Sequence, residues 1–280
     1  MEPSARKSNN LFLDPASVKK LLVDFLHDEV TNAGFDRVVI GLSGGVDSSL
    51  VAVLLAQAFA PEKILGLTMP YKASNPSSRS DAETLADSLR IRTENIDITP
   101  MVDAYQLDEG SDRKLRRGNI MARQRMIVLY DISSRERALV IGTSNKTEIL
   151  LGYGTLFGDT ACALNPIGDL YKTQVWQLAE ELGVPKAIID KKPSADLWEG
   201  QTDEGELGFS YRQVDKLLYL MIDERRGDVE LIAAGFEKHF IEKVKRLIQR
   251  NHFKRRPPLI AKLSNRTMNV DFRYPRDWGI

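Results

Sequence analysis

The chain has 280 residues, 42% of them hydrophobic, which is enough to bury one sizeable core. Its 39 basic and 39 acidic residues cancel, so it lacks the net positive charge typical of nucleic-acid-binding proteins, and its one cysteine, Cys162, excludes an intramolecular disulfide and a cysteine-rich zinc site. No stretch approaches the roughly 18 apolar residues of a membrane span or the apolar centre of a signal peptide, so we expect a cytoplasmic protein with no membrane or nucleic-acid partner.

Apolar residues recur along the chain in patterns that alternate between strands and helices. The predicted elements, in chain order, are a helix that begins at Asp14-Pro15, a strand at 38–40, a helix that contains 50–56, a strand at 63–69, a helix at 77–89, a strand at 93–98, a helix at 113–137 and a strand at 139–143. This alternation indicates an α/β fold, a doubly wound parallel sheet with helices on both faces, in a single domain over residues 1–280. Ligands of such sheets gather at the carboxyl ends of the strands.

The first strand runs into a glycine-rich turn with the sequence GLSGGVDSSL, residues 41–50. Gly44 and Gly45 allow the backbone to approach a ligand closely, and the following helix presents free N–H groups and the positive end of its dipole. This arrangement predicts a phosphate-binding loop, although a plain polar turn is the alternative. Asp47 would repel bound phosphate, and a magnesium ion between them removes that conflict. Asp47 is therefore a candidate metal ligand.

Two later strand ends are further candidate walls of the site. Residues 70–78 form a polar stretch after the second strand, which could wrap a base or a ribose or could be an ordinary surface loop. Thr143 lies at the end of the fourth strand, and Glu148 follows one short turn later. We expect the Glu148 carboxylate to face the same metal ion as Asp47 across the sheet.

The glycine-rich turn differs from the common phosphate loop, because no lysine follows its glycines. It resembles instead the SGGxDS loop of the ATP pyrophosphatase superfamily, whose members cleave ATP between the α and β phosphates and form an adenylated intermediate. NAD synthetases, GMP synthetases, asparagine synthetases and tRNA thiolation enzymes belong to this superfamily. The loop therefore predicts ATP as a substrate and leaves the acceptor open.

Segments further along the chain resemble the ammonia-dependent NAD synthetases in particular. They are GNIMARQRM (118–126), GTSNKTEILLGYGTLFGD (142–159), NPIGDLYKTQV (165–175), PSADLWEGQTDEGELGFSY (193–211) and FKRRPP (253–258). The resemblance implies an adenine nucleotide α-hydrolase-like fold, with ATP and nicotinic acid adenine dinucleotide (deamido-NAD) as substrates. It also implies a magnesium requirement and a homodimer.

The resemblance carries the family's ATP and metal sites onto this chain position by position. The ATP-binding positions are Gly41, Leu42, Ser43, Gly44, Gly45, Val46, Asp47, Ser48, Thr143, Lys172 and Ser194. Asp47 and Glu148 match the metal ligands. Lys172 would meet the charge that moves onto the leaving pyrophosphate. From the residues alone, Lys172 would be an ordinary charge in the first turn of a helix.

Three basic residues match positions that contact the dinucleotide in the family: Arg123, Lys254 and Arg255. The guanidinium of Arg123 suits this task, because it can donate two parallel hydrogen bonds to a carboxylate or phosphate. The alternatives are a solvated helix charge at Arg123 and a solvated basic tail at 253–258.

The chain departs from the family pattern at several positions. Leu156 replaces a substrate-binding lysine and Ala163 a substrate-binding aspartate, so other groups must hold part of the dinucleotide. Ser194 replaces a threonine and keeps the hydroxyl. Asp159 is retained and could take a proton from ammonium, which makes it a candidate catalytic residue.

Residues 191–210 contain few apolar side chains and are too long for an idle connection. They could form a lid over the substrates, since an acyl adenylate exposed to water would hydrolyse before ammonia arrives. Ser194, Asp203 and Glu204 are candidate contributors to this lid, and a disordered surface loop is the alternative. We expect residues 1–13 to be a flexible N-terminus and residues 253–280 a C-terminal tail.

The predicted reaction joins ATP, deamido-NAD and ammonia in two steps. The nicotinate carboxylate attacks the α phosphate of ATP, and ammonia then attacks the acyl carbon to give NAD, AMP and pyrophosphate. We expect free ammonia as the donor, unless a separate subunit supplies it, because Cys162 lies deep in the synthetase motifs and the stretch before the first strand is short for an amidotransferase domain. The alternatives are another amidating or thiolating member of the superfamily and a nucleotide-binding module without catalysis.

Overall fold

The computed structural model describes residues 11–108, 110, 112–198 and 200–267. Its strands are β1 (Val38–Gly41), β2 (Ile64–Thr68), β3 (Arg92–Asn95) and β4 (Leu139–Ile141). They form a parallel sheet in the order β3-β2-β1-β4. The predicted α/β class and the parallel sheet are confirmed.

Helices connect and flank the strands. In the described residues they are α1 (Pro15–Asn32), α2 (Val46–Ala58), α3 (Pro76–Leu89), α4 (Thr99–Asp103), α5 (Arg113–Glu136), α6 (Lys146–Leu151), α7 (Lys172–Glu181), α8 (Lys186–Ile189), α9 (Asp203–Leu207), α10 (Tyr211–Leu218), α11 (Asp228–Ala233) and α12 (Lys238–Arg250). The first helix begins at Pro15, where the missing N–H costs nothing. Asp14 stands at the cap position, but its carboxylate accepts from the Ser17 hydroxyl rather than from a helix N–H. None of the described helices is both long and apolar enough to cross a bilayer.

Alternate residues of β1 point to opposite faces of the sheet. Val38 and Ile40 pack in one core with α1, α2, α3, α7 and α8, whereas Val39 packs in a second core with α4 and α5. Helices therefore cover both faces, as a doubly wound sheet requires. Burial on both faces explains why β1 is apolar at successive positions.

A third apolar cluster lies beside the sheet, and the sequence did not predict it. It is built mainly from α10, α11 and α12, together with Leu151 and Tyr171. Trp176 in α7 packs against both this cluster and the first core. The helical cluster is therefore continuous with the sheet, in agreement with a single domain.

The fourth strand is shorter than predicted. It ends at Ile141, and the next N–H, that of Gly142, donates to Leu164 O at 2.7 Å, beside an isolated bridge between Ile141 and Leu164. Ile141 lies beside Ile40, so β1 and β4 end together at one edge of the sheet. The glycine-rich loop and the segment from Thr143 onward are thereby brought side by side.

The two ends of the chain lie partly outside the described residues. Of the predicted flexible segment 1–13, residues 1–10 lie outside them, whereas the side chain of Gln177 bonds to the backbone of Leu11 and Leu13. Of the predicted tail 253–280, residues 268–280 lie outside them.

Candidate active site

The glycine-rich loop leads from β1 into α2 and lies directly against the first turn of α3. Gly44 has a φ of 72°, and a Cβ atom there would lie 2.0 Å from the carbonyl oxygen of Ser78. Only glycine fits this turn, because a neighbouring backbone cannot move aside as a flexible side chain can. The hydroxyls of Ser43 and Ser48 lie 3.0 Å apart within the loop. The first N–H groups of α2 have no partner inside the helix, as a phosphate site requires.

The predicted ATP-binding positions in the loop divide into two kinds. The side chains of Leu42 and Val46 are buried in the first core, so these two residues can contact a nucleotide only through their backbone. Ser43 and Ser48 offer hydroxyls, and Ser43 Oγ accepts the N–H of Gly45 at 3.3 Å. The groups that the loop offers to a phosphate are therefore mainly main-chain N–H groups and two hydroxyls.

Lys172, the first residue of α7, lies between two carboxylates. Its ammonium donates to Asp47 Oδ2 and lies 3.6 Å from Glu148 Oε1. Asp47 is in the first turn of α2 and Glu148 in the first turn of α6. The Lys172 side chain is 3% exposed, and each carboxylate side chain is 17% exposed. Three of the predicted catalytic residues thus form one cluster, the Lys172 cluster, beside the glycine-rich loop.

The charges of the Lys172 cluster depend on one another. Burial raises the pKa of Glu148 to about 8, and repulsion from Asp47 adds to this rise, whereas Lys172 opposes it. Burial alone would lower the pKa of Lys172, but attraction to Asp47 and Glu148 outweighs it and the pKa is raised. Lys172 therefore stays charged and offsets the repulsion between the two carboxylates.

Asn145 holds Asp47 and Glu148 in place, and sequence reasoning missed it. Its side chain accepts the N–H of Glu148 at 3.0 Å, and the Glu148 carboxylate accepts the N–H of Asn145 at 3.2 Å, so the pair forms a capping box at the start of α6. The Asn145 amide also donates to Asp47 Oδ1 at 3.0 Å. The pattern Asn-Lys-Thr-Glu before an apolar run was the available signal.

Behind Lys172 lies a second group of polar side chains. The ammonium lies 5.3 Å from the centre of the Tyr211 ring, and the Tyr211 hydroxyl donates to Asp203 at 3.0 Å. The Tyr153 hydroxyl lies 3.0 Å from Asp203 and 2.7 Å from Glu206, and it has one proton for these two carboxylates. Burial raises the pKa of Asp203. Tyr211 was missed, because a tyrosine at the start of an apolar helix looks like a core residue.

Lys254 and Arg255 bind the carboxyl end of α6. The Lys254 ammonium donates to the carbonyls of Gly152 and Gly154 at 2.8 Å each, and Arg255 donates to the carbonyl of Leu150 at 2.7 Å. Both residues therefore have protein partners, unlike a solvated basic tail. They also line a pocket with Ser144, Glu148, Tyr153 and Asn165. This pocket connects the tail to the Lys172 cluster.

The other predicted substrate residues lie on α5 and in the segments that follow β4. Arg123 is exposed on α5 and donates to the carbonyl of Leu156 at 3.3 Å. Asp159 accepts the N–H of Thr155 at 2.8 Å, and Thr143 is half-buried just after β4. Their roles stay predictions.

The predicted lid, residues 191–210, lies against α3 and includes α9, with Glu199 outside the described residues. Lys191 donates to the Ser78 hydroxyl and to Asp81, both at 3.0 Å, and Asp196 accepts the N–H of Asn75 at 3.0 Å. Ser194 accepts the N–H of Asp196, which places it in this same stretch. The segment therefore approaches the glycine-rich loop from the side of α3.

Comparison with known proteins places this site in a family. The model of the NAD synthase family matches residues 18–258. The chain belongs to this family. The matched range includes the glycine-rich loop, the Lys172 cluster, and both Lys254 and Arg255, so the predicted NAD synthase resemblance is confirmed.

Relatives and solved structures of NAD synthases resemble this chain over nearly their whole length. An NH3-dependent NAD synthetase of Trichlorobacter lovleyi is 56% identical over 97% of this chain and 99% of its own. The structure of an NH3-dependent NAD synthetase from Campylobacter jejuni has a TM-score of 0.75 and 35% identity, and covers 89% of this chain and 100% of its own. The structure of an NMN synthetase from Francisella tularensis has a TM-score of 0.78 and 33% identity, and covers 89% of this chain and 99% of its own.

The chemistry of the Lys172 cluster suits the magnesium ion expected of an NAD synthase. Among the described residues, no group of three or more His, Cys, Asp or Glu side chains is placed to hold a metal by itself. Mg²⁺ is usually bound by one or two carboxylates together with waters and substrate phosphates. Asp47 and Glu148 supply such a pair of oxygen ligands beside a phosphate-binding loop, so the residues present fit this ion.

Proposed function

We propose that this chain is an ammonia-dependent NAD synthetase, which uses ATP to convert deamido-NAD to NAD. The observation that carries this proposal is the Lys172 ammonium between Asp47 and Glu148, next to a glycine-rich loop built for phosphate. The relatives that are 51% to 56% identical are named for this activity. The same geometry, without these relatives, would support any ATP pyrophosphatase.

The first step transfers AMP to the substrate. A carboxylate oxygen of the nicotinate attacks the α phosphorus of ATP, the bond to the β phosphate breaks, and pyrophosphate leaves. Amides of the loop, the hydroxyls of Ser43 and Ser48, and the Lys172 ammonium stabilise the charge that develops on pyrophosphate. Positioning and charge stabilisation are sufficient, so no residue of the chain forms a covalent bond to the substrate.

The second step replaces AMP with ammonia. Ammonia attacks the acyl carbon, the carbon–oxygen bond to AMP breaks, and the amide of NAD forms while a proton is lost. We assign Asp159 as the acceptor of this proton, and Arg123, Lys254 and Arg255 as contacts of the dinucleotide. The position of Lys254 supports its role as a contact of the dinucleotide, because Lys254 lines the same pocket as Glu148.

Asp47 and Glu148 would hold Mg²⁺ together with the ATP phosphates. When bound, the ion neutralises phosphate charge and the repulsion between the two carboxylates. The Lys172 ammonium lies close to both carboxylates, so it would face the same phosphates.

Substrate choice separates this function from its nearest rival. With ATP, Mg²⁺ and ammonium, we expect the purified protein to amidate deamido-NAD with a higher kcat/KM than nicotinic acid mononucleotide, and to form one AMP for each NAD. Mononucleotide amidation is the activity in the name of the Francisella protein. A preference for the mononucleotide, or formation of ADP, would reject the assignment. Activity with glutamine as sole donor would reject the ammonia requirement.

We propose in addition that two copies of the chain associate through the outer face of α5. Ile127 is 50% exposed, and the exposed Tyr130 lies one turn further along α5. The exposed Phe157 lies near this face, because Arg123 of α5 donates to the carbonyl of the preceding residue, Leu156. Met121, Val128 and Ile132 of α5 are buried in the second core and are not accessible to a partner. Ile127→Asp should give a folded monomer by light scattering, since a buried charge at an interface is unfavourable. An unchanged mass would contradict this interface.

A further inference from the structure

Asp215 lies in the middle of α10 and is completely buried, with an exposed fraction of 0%. One of its carboxylate oxygens accepts the hydroxyl of Thr147 in α6 at 2.6 Å. The other oxygen accepts the backbone N–H of Thr173 in α7 at 2.8 Å. A single carboxylate therefore joins the two helices that supply Glu148 and Lys172.

The groups that Asp215 binds are direct neighbours of the Lys172 cluster in the chain. Thr147 precedes Glu148, and Thr173 follows Lys172. The Thr147 hydroxyl also accepts the N–H of Lys172 at 3.0 Å. The contacts thus run from Asp215 to the Thr147 hydroxyl of α6, and to the backbone of α7 at Thr173 directly and at Lys172 through that hydroxyl, so a shift of α6 relative to α7 would break them.

A buried carboxylate is a costly way to hold two helices together. Burial raises the pKa of Asp215. The hydrogen bonds from Thr147 and Thr173 favour the charged form and oppose this rise, but they do not cancel it. Apolar side chains of similar volume often stabilise a core at least as well as buried charges do. Hydrogen bonds, unlike apolar contacts, fix both distance and angle. Placement of the helices explains this residue better than stability does.

We propose that Asp215 is a positioning residue for the reaction. It fixes α6 against α7 so that the Lys172 ammonium and the Glu148 carboxylate meet the ATP phosphates at the same time. Asp215 acts through Thr147 and Thr173, and not on the substrate itself. The inference rests on the proposed function, because it needs a reaction at the Lys172 cluster.

A second carboxylate from the same part of the chain provides a matched control. Asp223 follows α10 and accepts the Lys146 ammonium at 2.8 Å and the Tyr171 hydroxyl. It therefore also joins α6 to the start of α7, but it does so through two side chains and, in the described part of the chain, makes no bond to the backbone of either helix. Its side chain is 35% exposed. The Asp223→Asn variant tests the loss of a carboxylate that joins the two helices through side chains. The Asp215→Asn variant tests the loss of a carboxylate that also bonds the backbone of α7.

The test compares kcat and KM for NAD formation from ATP, deamido-NAD and ammonium in four variants. Asp215→Asn places an amide N–H where a carboxylate oxygen accepted a bond. We expect kcat to fall by about 10²-fold, with little change in the KM for ATP, deamido-NAD or ammonium. Thr147→Val should give a similar loss, because it removes the hydroxyl that bonds both Asp215 and the N–H of Lys172. Thr147→Ser keeps the hydroxyl and should restore kcat. Asp223→Asn should stay close to wild type.

Wild-type turnover is measured first and tests the proposed function alone. If the wild type forms NAD, equal kcat values for Asp215→Asn and Asp223→Asn overturn the inference, and so does a loss confined to KM. If Asp215→Asn fails to fold, the comparison of Thr147→Val with Thr147→Ser decides. Equal kcat values for those two variants would also overturn it.

Discussion

Replacing either carboxylate of the Lys172 cluster should almost eliminate turnover. We expect Asp47→Asn and Glu148→Gln each to lower kcat by at least about 10²-fold, the usual cost of losing one group that stabilises a transition state electrostatically. An amide of the same shape is a poor ligand for Mg²⁺, and it cannot supply the anionic oxygen with which a carboxylate binds this ion. Asn and Gln are preferable to Ala, because they fill the same space and keep an oxygen that can accept a hydrogen bond from the buried Lys172 ammonium.

The loss must be separated from damage to the fold. Circular dichroism and the Tm report whether each variant is folded. Asp24→Asn is the control for changing a carboxylate to an amide away from the site, because it removes only an exposed ion pair with Lys20. We expect this control to keep full activity. A folded Asp47→Asn or Glu148→Gln enzyme with wild-type kcat would show that these carboxylates do not hold the metal.

Gly44→Ala should have an effect of similar size through the backbone. The added Cβ would lie 2.0 Å from the carbonyl oxygen and 2.9 Å from the Cα of Ser78, so the loop or α3 must move. Displacement of the loop amides by about 1 Å is enough to cost about 10²-fold in rate. We expect kcat/KM for ATP to fall by this amount, with a rise in the KM for ATP.

Gly34→Ala is the matched control for this variant. Gly34 has a φ of 81°, but a Cβ atom there would meet nothing within 4 Å. Both substitutions therefore carry the cost of a left-handed backbone, about 1–2 kcal/mol, and only Gly44→Ala disturbs a neighbour. Equal effects of the two variants on kcat/KM would show that the close approach of the loop to α3 is unimportant for ATP.

The sequence could predict features that depend on local pattern. The strand, glycine-rich turn and helix around residues 38–58 were predictable, because β-branched residues, two glycines and an apolar run each restrict the backbone in their own stretch. The parallel sheet followed from the alternation of elements. The family resemblance named Asp47, Glu148 and Lys172 for one site, although Lys172 is 125 residues from Asp47 in the chain.

Features that depend on long-range packing were not predictable in this way. Tyr211 and Asp215 resemble ordinary residues of an amphipathic helix, and only the docking of α10 against α6 and α7 places them behind Lys172. Asn145 fits a common helix cap, and its bond to Asp47 exists only because β1 and β4 are adjacent. The bonds from Lys254 to the carbonyls of Gly152 and Gly154 likewise exist only because the chain after α12 returns to the carboxyl end of α6.

The central claim is that the nicotinate carboxylate is adenylated before ammonia attacks. Deamido-NAD labelled with ¹⁸O in this carboxylate tests it directly, in a reaction with unlabelled ATP, Mg²⁺ and ammonium, followed by mass spectrometry of the products. We predict that one ¹⁸O atom appears in the phosphate of each AMP and one stays in the amide of NAD. Unlabelled AMP, or ¹⁸O in pyrophosphate, would contradict the mechanism.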